Sequence, residues 1–154
     1  MLDAAGCLGG KAAQEIKEEV GLTVRADDLF DMSAAAVSTI PQLPYYDSGV
    51  ASDHASSPER VADAMYPSPG GCDESLSLML VQKRMRRREI EELKGRETGL
   101  RGEGEMIRLK VVPLGALWRE GGRDAKCLAA LGLYENLKRE GGLPEMPSKP
   151  DDVE

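Results

Sequence analysis

The chain has 154 residues, 41% of them hydrophobic and 31% charged, with a formal net charge of -7. That length suits one domain with a proper core, and the acidic balance argues against a general nucleic-acid binder. No apolar run approaches the roughly 20 residues that span a bilayer, and no basic stretch followed by an apolar one marks a signal peptide, so a soluble protein engaging neither membrane nor nucleic acid is expected.

With one Phe and one Trp, a core must rest on Leu, Val, Ile, Met and Ala. Cys7, Cys72 and Cys127 are odd in number and widely spaced, which fits neither a disulfide framework nor a zinc signature. A reducing, intracellular setting is expected. Cys72 reads as a passive thiol, because the single His54 is far away in sequence.

In chain order, residues 11–20 predict a helix, and Gly21 predicts its end, since glycine is favoured where the backbone turns left-handed past a helix. Residues 22–24 and 29–32 have weak strand character. Residues 38–70 collect Pro41, Pro44, Pro58, Pro67 and Pro69 among Ser, Asp and Gly, and predict a long disordered loop. Within it, Tyr45 and Tyr46 read as anchors. Residues 75–82 alternate and then run apolar, the best strand pattern in the chain.

The basic run 83–88 is followed at once by Glu89, Glu91 and Glu92, so it reads as a solvated strand end entering a short helix. Residues 106–112 predict a second strand. Pro113 predicts the opening of a short helix through Arg119, with Trp118 packed at its end. Residues 124–139 predict an amphipathic helix whose Leu128, Leu131, Tyr134 and Leu137 stripe faces the core or a second subunit. Gly141 and Gly142 end it, and the tail to Glu154 predicts disorder.

Glu15, Glu18 and Glu19 carry the chemistry of the first helix. Three and four apart, they share a face, and like charges at that spacing cost about 0.2–0.5 kcal/mol per pair. A divalent cation would offset the repulsion, because hard cations take oxygen ligands. On spacing alone a solvated acidic face is the commoner outcome.

The run Gln14-Glu15-Ile16-Lys17-Glu18-Glu19-Val20-Gly21-Leu22 resembles the second half of the Nudix box, G-x5-E-x7-R-E-U-x-E-E-x-G-U, where U is aliphatic. It departs at one specified position, where Gln14 stands in place of Arg. In the first half Gly6 stands in place of the upstream Glu. The segments 1–3, 68–74, 95–100 and 113–119 are similar, in the same order, to plant-type ADP-sugar diphosphatases, relatives of ADP-ribose pyrophosphatases, in which E-x-P-A-G precedes a Met-Leu-Asp like residues 1–3.

The resemblance implies an α/β protein, a Nudix-type α/β/α sandwich around a mixed sheet. Residues 1–143 would form a domain lacking its N-terminal strands, with 38–70 an inserted loop and 144–154 a disordered tail; a shortened gene model is the expectation. It further implies hydrolysis of an ADP-sugar, such as ADP-ribose or ADP-glucose, to AMP and a sugar phosphate. Mg2+, or Mn2+, would be held by Glu15, Glu18 and Glu19. Glu103 matches the family's general base and Glu105 is its near alternative. Ser68, Gly70, Gly71 and Glu74 would line the substrate pocket. The family works as a homodimer, in cytoplasm or plastid. The rival expectation is a non-catalytic remnant that binds a nucleotide or a partner.

Overall fold

The computed structural model describes residues 8–38 and 64–150. Residues 1–3, Gly6, Cys7 and most of the predicted loop, with Tyr45, Tyr46 and His54, lie outside the described residues. Helix α1 spans Leu8–Glu15 and continues as a π-helical turn, Ile16–Val20. A 3-10 turn, Ala26–Asp28, leads into β1, Leu29–Asp31, and then α2, Met32–Ser38. After residue 64 come β2, Met79–Val81, and α3, Arg87–Leu93. Strand β3, Glu97–Thr98, a 3-10 turn, Arg101–Glu103, and β4, Ile107–Arg108, form a hairpin. Helices α4, Leu114–Glu120, and α5, Ala125–Glu140, complete the order.

Among the described residues, the strands make two separate antiparallel pairs. In one, Phe30 lies opposite Leu80; in the other, Thr98 lies opposite Ile107 and Glu97 opposite Arg108. Both apolar runs that predict strands are real, but each is shorter than its pattern. Of 75–82 only Met79–Val81 joins a ladder, with Leu76 bridged to Met65. Of 106–112 only Ile107–Arg108 does. Periodicity reports which face of a strand is apolar, whereas strand length depends on a partner to receive its hydrogen bonds. Residues 22–24 form no strand, and Met32 opens a helix rather than extending β1.

Local chemistry explains the helix ends. Asp31 Oδ1 accepts from the Ala34 amide at 2.9 Å and starts α2. Asp124 Oδ1 accepts from the Lys126 amide at 2.8 Å and starts α5, a cap worth about 1 kcal/mol. Gly141, with φ 72°, ends α5, and the Gly142 amide reaches back to the Leu137 carbonyl at 2.8 Å, which is the Schellman closure.

The core lies where α2 packs on α5. Met32 of α2 and Leu137 of α5 are buried, as is Leu93 of α3. Ser33 is also buried, and its hydroxyl accepts from the Leu78 amide at 2.9 Å, so its burial leaves no polar group unpaired. Along α5, Leu131 and Tyr134 are half-buried but Leu128 is 41% exposed, so the predicted stripe is covered only toward its C-terminal end. Trp118 is not packed inside: it is 51% exposed, with the Arg119 guanidinium 4.4 Å above its ring. In the proline-rich segment after α5, the Pro144 and Pro147 carbonyls accept from Gln82 and Arg84, each at 2.7 Å. Those contacts place part of the segment beside the end of β2.

Candidate functional site

The glutamate helix changes character where its carboxylates begin. Residues 16–20 wind as a π turn, so the α-helical spacing that predicts a shared face for Glu15, Glu18 and Glu19 is replaced by a wider turn. Such turns are rare and occur often at functional sites. This one closes on Gly21, at φ 72°, whose amide donates to the Lys17 carbonyl at 3.1 Å. A side chain at position 21 would be strained by that backbone, and its Cβ would lie 3.0 Å from the Arg96 guanidinium carbon.

The β3–β4 hairpin holds the turn. The Thr98 hydroxyl donates to the Glu19 carbonyl, and the Gly99 amide donates to the Glu18 carbonyl at 3.1 Å. These bonds satisfy carbonyls that a helix end leaves open. Gly99 has φ 92° and lies so close to Glu105 that an added Cβ would be 3.1 Å from its Cγ. The Leu100 amide donates to Glu105 Oε2 at 3.1 Å, which steers that carboxylate.

Four carboxylates therefore meet in one field. The pKa of Glu19 is raised, first by partial burial and then by the negative charges of Glu15, Glu105 and Glu18. Gln14 takes part as a neutral donor: its Nε2 gives a 2.9 Å hydrogen bond to Glu18 Oε1. It orients one carboxylate without neutralising any. Glu103 is placed differently. It lies in the exposed 3-10 turn, with its amide bonded to the Leu100 carbonyl, and its charge is not among those acting on Glu19. The resemblance puts Glu103 first and Glu105 second; of the two, Glu105 is the one whose charge acts on Glu19. Thr98 carries no sequence signal for its role, since its value comes from a partner far away in the chain.

Among the described residues, no three His, Cys, Asp or Glu side chains are arranged to hold a metal ion. As they stand, Glu15, Glu18 and Glu19 do not make up such a group, and their role as ligands is what the resemblance implies. In donor chemistry the group still fits a divalent cation: oxygen ligands only, crowded, and short of positive charge.

Ser68, Gly70, Gly71 and Glu74 are exposed. They form an exposed turn in which the Gly71 and Cys72 amides donate to the Ser68 carbonyl at 2.8 and 2.9 Å. No described hydrogen bond links them to the box residues. Cys72 is a free, exposed thiol. Among the described residues, no helix is long and apolar enough to cross a membrane.

The chain is similar to Nudix hydrolase 14, chloroplastic, of Arabidopsis thaliana, with 35% identity over 149 residues, which is 97% of this chain. That similarity supports a Nudix hydrolase. The aligned part is 41% of the relative, so the chain spans about two-fifths of that protein's length. No family model matches the chain, and no solved structure does. The glutamate turn and the hairpin both fall within the aligned stretch.

Proposed function

We propose that this chain is a Nudix-type hydrolase that cleaves the diphosphate bond of ADP-sugars, such as ADP-ribose or ADP-glucose, to AMP and a sugar phosphate. The observation that carries the reading is the meeting of Glu15, Glu18 and Glu105 on Glu19 at a π turn, in a chain with Nudix similarity. Glu15, Glu18 and Glu19 would hold Mg2+, or Mn2+ in its place. When bound, such a cation supplies charge neutralisation at the phosphoryl oxygens.

The chain's own residues have three tasks. Thr98 and Gly99 fix the backbone from which Glu18 and Glu19 project. Gln14 orients Glu18. Glu105 is the general base: its Oε2 is held by the Leu100 amide, and Oε1 is left to take the proton of the attacking water. As that water adds to phosphorus, the bond from phosphorus to the bridging oxygen breaks, and its electron pair leaves with the departing phosphate. A general base must lie within hydrogen-bond reach of that water, and contributes about 10²–10⁴-fold.

Release of AMP from ADP-ribose and ADP-glucose, with Mg2+ and with chelator, tests the reading against Glu19→Gln. Turnover that needs Mg2+ and falls in the variant is expected; absence of turnover by the folded chain rejects it. A second reading is favoured by the neutral Gln14: a domain that binds a nucleotide without cleaving it. Binding of ADP-ribose with no release of AMP identifies that case. The resemblance extends the proposal to a homodimer, which sedimentation velocity checks.

A further inference from the structure

The hairpin that grips the glutamate turn also walls a cleft of about 420 Å3, within the roughly 300–1,000 Å3 of small-molecule sites. Thr98, Glu97, Arg101, Met106, Ile107 and Arg108 line it. Glu97 is paired with Arg101 at 2.8 Å and lies opposite Arg108 in the ladder. Two guanidiniums against one carboxylate leave the cleft positive, in a chain whose net charge is -7. Among the described residues, Arg108 makes no side-chain ion pair or hydrogen bond. Its planar fork of donors matches phosphate oxygens.

The apolar lining is equally specific. Met106 is 85% exposed, the most exposed of the large hydrophobic residues among those described. A flexible, polarisable thioether adapts to a flat apolar or aromatic surface. Two features join the cleft to the carboxylates. Thr98 lines it while its hydroxyl holds the Glu19 carbonyl. Gly104 and Met106 line it on either side of Glu105 in the chain.

We propose that this cleft is the nucleotide subsite of the same reaction, in which Arg108, with Arg101, takes a phosphate and Met106 covers an apolar face of the nucleoside. The inference rests on the hydrolase reading for its biological meaning, but not for its test. Calorimetric titration of the full chain with AMP, in buffer containing chelator, measures the subsite without turnover. Arg108→Gln weakens AMP binding roughly tenfold or more, as expected for a lost charged hydrogen bond. Arg108→Lys keeps part of the affinity, and Met106→Ser weakens binding at a position too exposed to disturb folding. Arg88→Gln, which removes the same charge from α3, leaves AMP binding unchanged.

Wild-type affinity in Arg108→Gln and Met106→Ser, with melting curves like the parent's, overturns the proposal, as does absence of AMP binding by the parent at millimolar concentration. The two readings fail separately. AMP binding that depends on Arg108 without any turnover sinks the hydrolase and keeps the subsite. Turnover with a KM indifferent to Arg108→Gln does the reverse.

Discussion

Helix α5 and the π turn that ends α1 are both helical, yet they are held in opposite ways. Helix α5 is closed by its neighbours in sequence: Asp124 caps its start, and Gly141 and Gly142 fold back on its last turn. The π turn is closed at Gly21, but its carbonyls at Glu18 and Glu19 are held by Gly99 and Thr98, the latter 79 residues away. One helix obeys local rules throughout. The other accepts crowded like charges and an unusual winding, and depends on a remote hairpin to keep them. Local conflict stabilised from a distance is what a functional site is expected to look like.

The sharpest way to break that comparison is to remove the remote carboxylate. Glu105→Gln is expected to lower AMP release by about 10²–10⁴-fold, while Glu103→Gln stays within a few-fold of the parent. Steady-state assays with Mg2+ decide it. If Glu103→Gln carries the larger loss, the hairpin's grip on the glutamate turn is structural only, and the choice made by sequence matching returns.

What was legible in the sequence follows the same division. The spans of α4 and α5 come from Pro113, Asp124 and Gly141, whose effects are local, and they can be read within a residue or two. The glutamates, and the end of their helix at Gly21, are legible for the same reason. The π winding is not, because nothing in Ile16–Val20 distinguishes it from an ordinary turn until Thr98 and Gly99 bind it. The choice between Glu103 and Glu105 is likewise spatial: they are two apart in sequence, yet one sits in a 3-10 turn and the other against Gly99. The turn at Ser68 to Gly71 is closed by local hydrogen bonds, and nothing in its residues says where it sits relative to the glutamates.

A matched pair of substitutions sharpens the comparison. Gly21→Ala forces a side chain into a left-handed backbone and against Arg96, at about 1–2 kcal/mol. Asp124→Ala removes a helix cap at about 1 kcal/mol. Denaturant titration should find both losses. Only Gly21→Ala should also lower AMP release, because only that position lies on the held turn. Equal loss of activity in both would mean that activity follows global stability, and that the two helices do not differ in kind.

The smallest expected effect concerns Glu19 itself, measured in chelator. Its raised pKa means that the folded state keeps this proton to higher pH than the unfolded chain does. Between those two values the folded state binds more protons, so its stability falls as pH rises. The contribution is complete below the unfolded value and lost as pH climbs through the folded one. Glu19→Gln lacks this loss, so the variant should gain on the parent across that window and hold a constant lead above it; parallel curves would sink the claim. Salt then separates the causes. The share from Glu15, Glu105 and Glu18 is screened, since the Debye length falls to about 3 Å at 1 M, whereas the share from burial is not. Because burial is the first of the causes, part of the lead should survive high salt. A lead that vanishes there would instead make the glutamate turn a purely electrostatic cluster, with the hairpin contributing charge through Glu105 rather than shelter.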